Sequence, residues 1–217
     1  MELAPDTKAL TTLVSVVCDT KLANGGFLQL AGSDTQDLSV AAHCGLSDSF
    51  LAHFEGARTG DGTPCSHALA ERRRVVIRDL RTDAAFRPHL EVSLAENVLA
   101  AQATPLIDTL GRVVGVFSSF YSEPHHPTRD ELNILDCCCE IAIGIIESND
   151  SADALWADYG DDVRRSTVSE HVVRASKATR TLLDTLGENH QWPMLLATRR
   201  NLEIVTTYLD ERLARLN

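Results

Sequence analysis

The sequence is short of basic residues and of long apolar runs, and each shortage excludes a class of partner. Lysine and arginine together number 20, against 31 aspartates and glutamates, which gives a formal net charge of −11. A nucleic-acid-binding surface must neutralise phosphates, so this balance predicts that nucleic acid is not a partner. The longest apolar run, residues 141–146, is far shorter than the roughly 20 residues that cross a bilayer. We therefore expect no membrane partner either.

Cysteine pairs at CxxC spacing are also absent, which removes a common signature of thiol redox motifs and zinc sites. The six cysteines are Cys18, Cys44, Cys65 and three consecutive residues at 137–139. Successive helical residues point about 100° apart, so the triplet cannot converge on one metal ion. The first residues are acidic, and the apolar region of a secretory signal does not follow them. We expect a cytoplasmic protein, no metal site and six reduced thiols.

Length and composition predict one main domain with a short appendage. The chain has 217 residues, of which 44% are hydrophobic and 24% charged, as in ordinary globular proteins. That length can bury one sizeable core but is too short for two average domains. A polar segment at 148–153 marks a predicted boundary between a domain at 1–150 and a helical extension at 151–217.

Hydrophobic spacing predicts an α+β domain with a mainly antiparallel sheet. Apolar residues recur at helical spacing near the start of the chain, and short strand-like runs separated by polar turns follow. The turn at 108–111 contains glycine and joins two apolar runs, which predicts a hairpin. In chain order we predict a helix at 6–22, strands at 27–30 and 38–44, a helix at 47–55, a mobile glycine-rich loop at 56–64, a short helix at 65–71, and strands at 74–77, 100–107 and 112–121.

Capping signals predict where the later helices begin. Thr128 and Glu131 have the spacing of a capping box, and Thr167 and Glu170 repeat it. The helix after Thr128 carries two apolar stripes side by side, so it needs two contact surfaces. One is the sheet, and the other is either the first helix or a second copy of the protein. A final helix is predicted to start near Trp192 and to form, with the preceding one, a helical hairpin docked on a partner surface.

The segment Gln102-Ala103-Thr104-Pro105-Leu106, followed by the run at 111–116, carries most of a resemblance to the GAF family of small-molecule sensor domains. Further pieces match in the same order, at 28–30, 40–45, 50–54, 75–83, 123–127 and 131–136. The resemblance covers about residues 5–148. It is greatest to the bacterial subgroup attached to sensor kinases and related regulators.

The resemblance implies a fold and a class of function. The fold is a central antiparallel sheet with helices on one face and a ligand pocket on the other. The function is that of a cytoplasmic sensory or regulatory domain without catalysis. Its expected partners are a small-molecule ligand of unknown identity, a second copy of the chain through the terminal helices, and a signalling protein. The sequence names no cofactor.

Polar residues in the predicted strands are the candidates for the ligand site. Because side chains alternate along a strand, polar residues among apolar ones can line a pocket. The residues Cys65 and His67 follow the glycine-rich loop, where a helix N-terminus would lower the pKa of a thiol. The seven predicted ligand-binding residues are Gln29, His43, Cys65, His67, Gln102, Thr104 and Ser119.

Two alternative functions stay open from the sequence. The position of Cys65 after a loop is similar to that in free methionine sulfoxide reductases, which are enzymes with the GAF fold. Such an enzyme needs further cysteines to resolve the sulfenic acid, and the segment 83–96 contains none. Residues 86–99 likewise lack the cysteine with which the tetrapyrrole-binding members of the family attach a linear tetrapyrrole. The second alternative is a ligand-free interaction module whose pocket is filled by its own side chains.

Overall fold

A six-stranded antiparallel sheet forms the centre of the protein in the computed structural model, which describes residues 5–20, 22–32, 37–148, 160–187 and 195–216. Its order is β3-β2-β1-β6-β5-β4, and every neighbouring pair is antiparallel. The predicted antiparallel sheet is confirmed, and so is the hairpin predicted around the turn at 108–111. The strands are β1 Gly25–Ala31, β2 Asp37–Cys44, β3 Ala57–Arg58, β4 Val75–Ile77, β5 Ala100–Ile107 and β6 Val113–Tyr121.

Seven α-helices surround the sheet in the described part of the chain. The capping box predicted at Thr128 is present, because its side chain accepts from the Glu131 amide and Glu131 accepts from the Thr128 amide. The predicted start of the final helix near Trp192 lies outside the described residues. The helices are α1 Pro5–Asp19, α2 Asp48–Phe54, α3 Pro64–Glu71, α4 Leu90–Ala95, α5 Arg129–Glu147, α6 Asp161–Gly187 and α7 Leu195–Leu216, with short 3₁₀ turns at Leu80–Thr82 and Arg87–His89.

One face of the sheet is covered by two layers of helices. Helices α1 and α5 pack directly on the strands, α6 packs on α5, and α7 packs on α1 and α6. Leu13, Leu28 and Ile141 are fully buried in the resulting core, which continues to Val172 and Leu209 of the outer layer. The second apolar stripe of α5 is therefore covered by α6 of the same chain rather than by a second copy.

The other face of the sheet is covered by the short elements between β2 and β5. Helix α3 packs on β4, β5 and β6, while α2 packs on α4 beside it. The predicted glycine-rich loop is not irregular throughout, because Ala57–Arg58 forms the edge strand β3 against Asp37 and Leu38. None of the described helices is long and apolar enough to cross a membrane.

The expectation of six reduced thiols is wrong for two of them. A disulfide joins Cys18, near the end of α1, to Cys44, the last residue of β2. Residue spacing alone could not show this pair, because 26 positions separate the two cysteines and only the packing of α1 on the sheet brings them together. Cys65, Cys138 and Cys139 are free and buried.

Candidate functional site

The two faces of the sheet hold different sets of buried polar side chains. Side chains alternate along each strand, and residues paired across strands share a face. We call the face under α3 the α3 face; it is defined by Phe27, Gln29, Ala101, Ala103 and Ser118. We call the face under α5 the α5 face; it is defined by Leu28, Gln102, Thr104, Phe117 and Ser119.

Gln29 and Ser118 form a polar pair in the middle of the α3 face. Gln29 is completely buried, and its Nε2 donates to the carbonyl oxygen of Phe54 at 2.9 Å. Among the described residues, its Oε1 and the Ser118 Oγ have no hydrogen-bond partner. Phe27 pairs with Ser118, and Gln29 pairs with the residue two positions before it, so the two polar side chains are diagonal neighbours. A buried polar group left unpaired costs about 1–3 kcal/mol, which a ligand or a water molecule here would offset.

An apolar wall surrounds this polar pair. The rings of Phe27 and Phe120 lie with centroids 4.9 Å apart, and Phe50 contacts Phe120 at 5.2 Å. Phe54 and Phe86 extend the cluster across α2 and the segment before α4. Few precisely placed polar atoms among aromatic side chains are typical of small-molecule sites.

The loop between β3 and α3 packs closely on the backbone next to this aromatic cluster. Gly62 has φ +77°, and a Cβ there would lie 2.3 Å from the carbonyl oxygen of Ala85. Glycine is therefore required for the loop to pass so close to the backbone of the segment before α4. Asp37 and Arg58 form an ion pair with 2.6 Å between Oδ1 and Nε, which holds the other end of the loop.

Two histidines also connect this loop to α2 by hydrogen bonds. His89 Nε2 lies 2.7 Å from the carbonyl oxygen of Asp61, and a carbonyl can only accept, so His89 carries its proton on Nε2. Its Nδ1 then accepts from His53 Nε2 at 2.9 Å. Burial, and secondarily the neighbouring His89, lower the pKa of His53. Through these two hydrogen bonds, His53 of α2 is linked by His89 to Asp61 of the loop.

Cys65 is held as an unreactive thiol in the first turn of α3. It is buried among apolar residues, and Thr63 Oγ1 lies 3.1 Å from its Sγ. Burial raises the pKa of the thiol to about 11, which outweighs the lowering by the hydrogen bond from Thr63. The expected lowering of this pKa at the helix N-terminus is therefore wrong. His67, two residues further along the helix, is half-buried and pairs with Glu71 at 3.3 Å.

The three predicted site residues on β5 and β6 belong to the α5 face. Gln102 Nε2 donates to Thr104 Oγ1 at 3.1 Å, and Arg74 Nε donates to the same oxygen at 2.9 Å. Arg74 also pairs with Asp136 of α5. Ser119 is buried opposite Gln102. This group links the sheet to α5.

The structure does not bring the seven predicted residues into one pocket. Gln29 and Cys65 lie on the α3 side, and His43 is exposed at the end of β2. Ser118, His53 and His89 were not predicted. Strand alternation gives the two faces of β6 but not which one α3 covers, so Ser118 and Ser119 could not be told apart. No group of three or more potential metal-ligating side chains occurs in the described ranges.

A curled antiparallel sheet with paired terminal helices on one face and short helices over the other defines a class of small α+β domains. The profile of the GAF domain family matches residues 6–174, and the chain belongs to that family. The match passes the boundary predicted at residue 150 and ends within α6. A search of curated proteins found no match.

Solved structures share the fold at low sequence identity. A domain of a two-component sensor histidine kinase protein from Sinorhizobium meliloti is 15% identical with a TM-score of 0.56, covering 68% of this chain and 94% of its own. The GAF domain of an Acinetobacter phosphoenolpyruvate-protein phosphotransferase is 16% identical with a TM-score of 0.56, covering 70% and 86%. The free methionine-R-sulfoxide reductase from Neisseria meningitidis is 16% identical with a TM-score of 0.53, covering 66% and 80%.

Proposed function

We propose that this GAF domain is a non-catalytic sensory or regulatory domain that binds a small molecule on the α3 face. The observation that supports the proposal is the pair of buried polar atoms, Gln29 Oε1 and Ser118 Oγ, with no partner among the described residues. They lie next to the phenylalanine cluster and under the loop that His89 holds through the carbonyl oxygen of Asp61. A ligand can reach them when the loop at 56–63 opens.

The chemistry of this site favours a small uncharged ligand. The buried polar residues described on this side are Gln29, Thr63, Ser66, Ser93 and Ser118, and all of them are neutral. Gln29 Oε1 accepts a hydrogen bond, whereas Ser118 can donate or accept. A flat molecule with an N–H donor next to an acceptor, and an apolar body for the phenylalanines, meets these requirements.

The state of Cys65 supports a non-catalytic role. A free methionine sulfoxide reductase needs a nucleophilic thiolate, and a thiol with a pKa of about 11 is protonated at neutral pH. The likeness to reductases at 16% identity concerns the fold alone. We therefore favour ligand sensing over the reductase reaction as the function of this domain.

The signal would leave through α5. Arg74 connects Thr104 of β5 to Asp136 of α5, so a shift of β5 on ligand binding moves the helix. The outer helices α6 and α7 rest on α5 and α1, and they offer the surface for a signalling partner or a second copy. Homodimerisation stays a prediction, and it requires a surface other than the α5 stripe that α6 covers.

Binding to matched variants tests the proposal. Native mass spectrometry of the full chain would identify a retained molecule, and thermal shift would measure stabilisation by neutral heterocyclic amides such as nicotinamide and uracil. We expect the Gln29→Leu/Ser118→Ala variant to lose binding. The control is Gln102→Leu/Ser119→Ala, which makes the same changes on the α5 face. Equal loss in both variants, or binding that neither affects, would contradict the proposed site.

A further inference from the structure

The Cys18–Cys44 disulfide lies beside a surface cleft of about 500 Å³. Both cysteines are partly exposed. Cys18 lines the cleft, together with residues of the turn after α1 and of the segment after β6, whereas Cys44 is not among the described residues that line it. A small molecule can therefore reach Cys18 in the folded protein.

The disulfide also lies against the junction between β2 and α2. Cys44 is the last residue of β2, and residues 45–47 connect it to α2. Gly45 has φ +64°, and a Cβ there would lie 2.4 Å from the carbonyl oxygen of Asn24 and 3.3 Å from the Sγ of Cys18. The junction therefore packs directly on the end of α1 and on the turn that follows it.

Hydrogen bonds hold the two sides of this contact independently of the disulfide. On the α1 side, the Asn24 amide donates to the carbonyl oxygen of Phe120 at 2.9 Å, and Asn24 Oδ1 accepts from the Ser122 amide at 2.8 Å. On the α2 side, the Ser47 amide donates to Glu96 Oε1 at 2.7 Å. Opening the disulfide therefore acts on the short segment between these anchored points.

Each sulfur has a hydrogen-bond acceptor nearby for the reduced state. Cys44 Sγ lies 3.3 Å from the carbonyl oxygen of Val14, and Cys18 Sγ lies 3.8 Å from that of Asn24. A thiol is a weak donor, whereas a disulfide sulfur has no proton to donate. The folded protein can therefore accommodate both thiols, as a reversible bond requires.

We propose that this disulfide is a site of exchange with small thiols, and that Cys18 is the sulfur attacked. The thiolate of the small thiol attacks Cys18 Sγ, the bond to Cys44 breaks, and Cys44 leaves as a thiolate that takes up a proton. A second small thiolate then attacks the small-molecule sulfur of the mixed disulfide and releases the Cys18 thiolate, which is also protonated. The protein gains two electrons and two protons, and two small thiols are oxidised to their own disulfide.

The exchange acts on α2. This helix begins at Asp48, directly after the junction, and carries the buried Phe50 and Phe54. The oxidised protein ties the end of β2 covalently to α1, so reduction should increase the motion of the junction and of the first turn of α2. This effect does not depend on a ligand on the α3 face.

The first test compares the rates at which glutathione reduces the native full chain and the urea-unfolded chain, measured by intact mass after acid quenching and alkylation. Because Cys18 is accessible, we expect the native rate to lie within about tenfold of the unfolded rate. A larger difference would show that attack requires unfolding, and it would overturn the proposal.

Matched single-cysteine variants identify the attacked sulfur. With glutathione disulfide as the reagent, Cys18 in Cys44→Ser should form a mixed disulfide faster than Cys44 does in Cys18→Ser, because only Cys18 lines the cleft. Peptide mapping separates these adducts from any at the four free cysteines. Equal rates, or a faster reaction of Cys44, would contradict the assignment of Cys18.

Hydrogen exchange of the full chain tests the effect on α2. Reduction should speed exchange in residues 45–54 of the wild type, whereas the control Cys18→Ser/Cys44→Ser should exchange alike with and without reductant. Unchanged exchange in this segment of the reduced wild type would show that the bond does not hold the junction. None of these variants touches Gln29 or Ser118, so failure here leaves the proposed function standing.

Discussion

At the scale of single residues, the buried polar side chains show where a ligand can bind. Their hydrogen-bond partners determine whether they belong to a ligand site or to a structural contact. Gln102 and Gln29 both lie in strands and are fully buried, and each has a side-chain oxygen with no hydrogen-bond partner in the described part of the chain. Gln102 belongs to a group that links the sheet to α5, whereas Gln29 faces the aromatic wall under α2. Their sequence contexts are alike, so the sequence could nominate both but could not assign their roles.

The histidine pair predicts a loss of stability in mild acid. Because the pKa of folded His53 is lowered, the unfolded chain binds a proton first as the pH falls below about 6.5. Stability is therefore complete above that pH and decreases until the lower folded pKa is reached. Urea unfolding at pH 7.5, 6.0 and 5.0 should show a smaller decrease for His53→Gln than for the wild type. The exposed-residue control His43→Gln should keep the wild-type slope; a parallel slope for His53→Gln would contradict the role of the pair.

The disulfide predicts a difference between oxidised and reduced protein. Alkylation of denatured protein should modify four cysteines before reduction and six after it, measured by intact mass. For a sequence separation of 26 residues the chain-entropy model gives a stabilisation of about 3.5 kcal/mol, so reduction should lower the free energy of unfolding by about that amount. The double variant Cys18→Ser/Cys44→Ser should not respond to reductant. Six alkylations without reduction would show that the bond is absent.

At the scale of elements, the contact between α5 and α6 depends on a glycine. A Cβ at Gly144 would lie 2.5 Å from the Ala175 Cβ and 3.1 Å from the His171 carbonyl oxygen. Alanine would gain up to about 1 kcal/mol in helix propensity. Overpacking costs about 1–3 kcal/mol, and here it displaces a helix backbone rather than one flexible side chain. We therefore expect the steric clash to outweigh the gain in helix propensity.

Gly144→Ala should lower the free energy of unfolding by about 1–2 kcal/mol, measured in urea. The control Ser166→Ala places alanine at an exposed position of α6, where only helix propensity changes, and should raise the free energy of unfolding by no more than about 0.7 kcal/mol. Stabilisation by Gly144→Ala would mean that α6 does not pack this closely on α5 in solution.

Local signals predicted most elements, and long-range contacts decided the rest. The capping box at Thr128 and the turn at 108–111 specify their elements from neighbouring residues alone. By contrast, β3 exists because Ala57 and Arg58 meet Leu38 and Asp37 about twenty positions earlier in the chain. Such pairing leaves no local pattern in a glycine-rich segment. The sequence shows the second apolar stripe of α5, but only the tertiary packing determines that α6, and not another copy of the chain, covers it.

At the scale of the whole molecule, the sheet separates two regions with different chemistry. The α3 side is apolar with neutral polar atoms, and the α5 side holds the group of Gln102, Thr104 and Arg74 that links the sheet to α5. Composition predicted an acidic protein without a nucleic-acid partner, but it could not show that Cys18 and Cys44 meet where α1 packs on the sheet. The family fold was predictable because the segments that resemble the family keep their order between residues 28 and 136, and the family profile matches 6–174.

The central claim is that a ligand on the α3 face acts on the terminal helices. The most direct measurement is hydrogen exchange of the full chain with and without the small molecule that binds most tightly in the native mass spectrometry and thermal-shift experiments. The account predicts slower exchange in the loop at 56–63 and in α5, Arg129–Glu147, with both effects lost in Gln29→Leu/Ser118→Ala. Unchanged exchange in both segments with the molecule bound would contradict it.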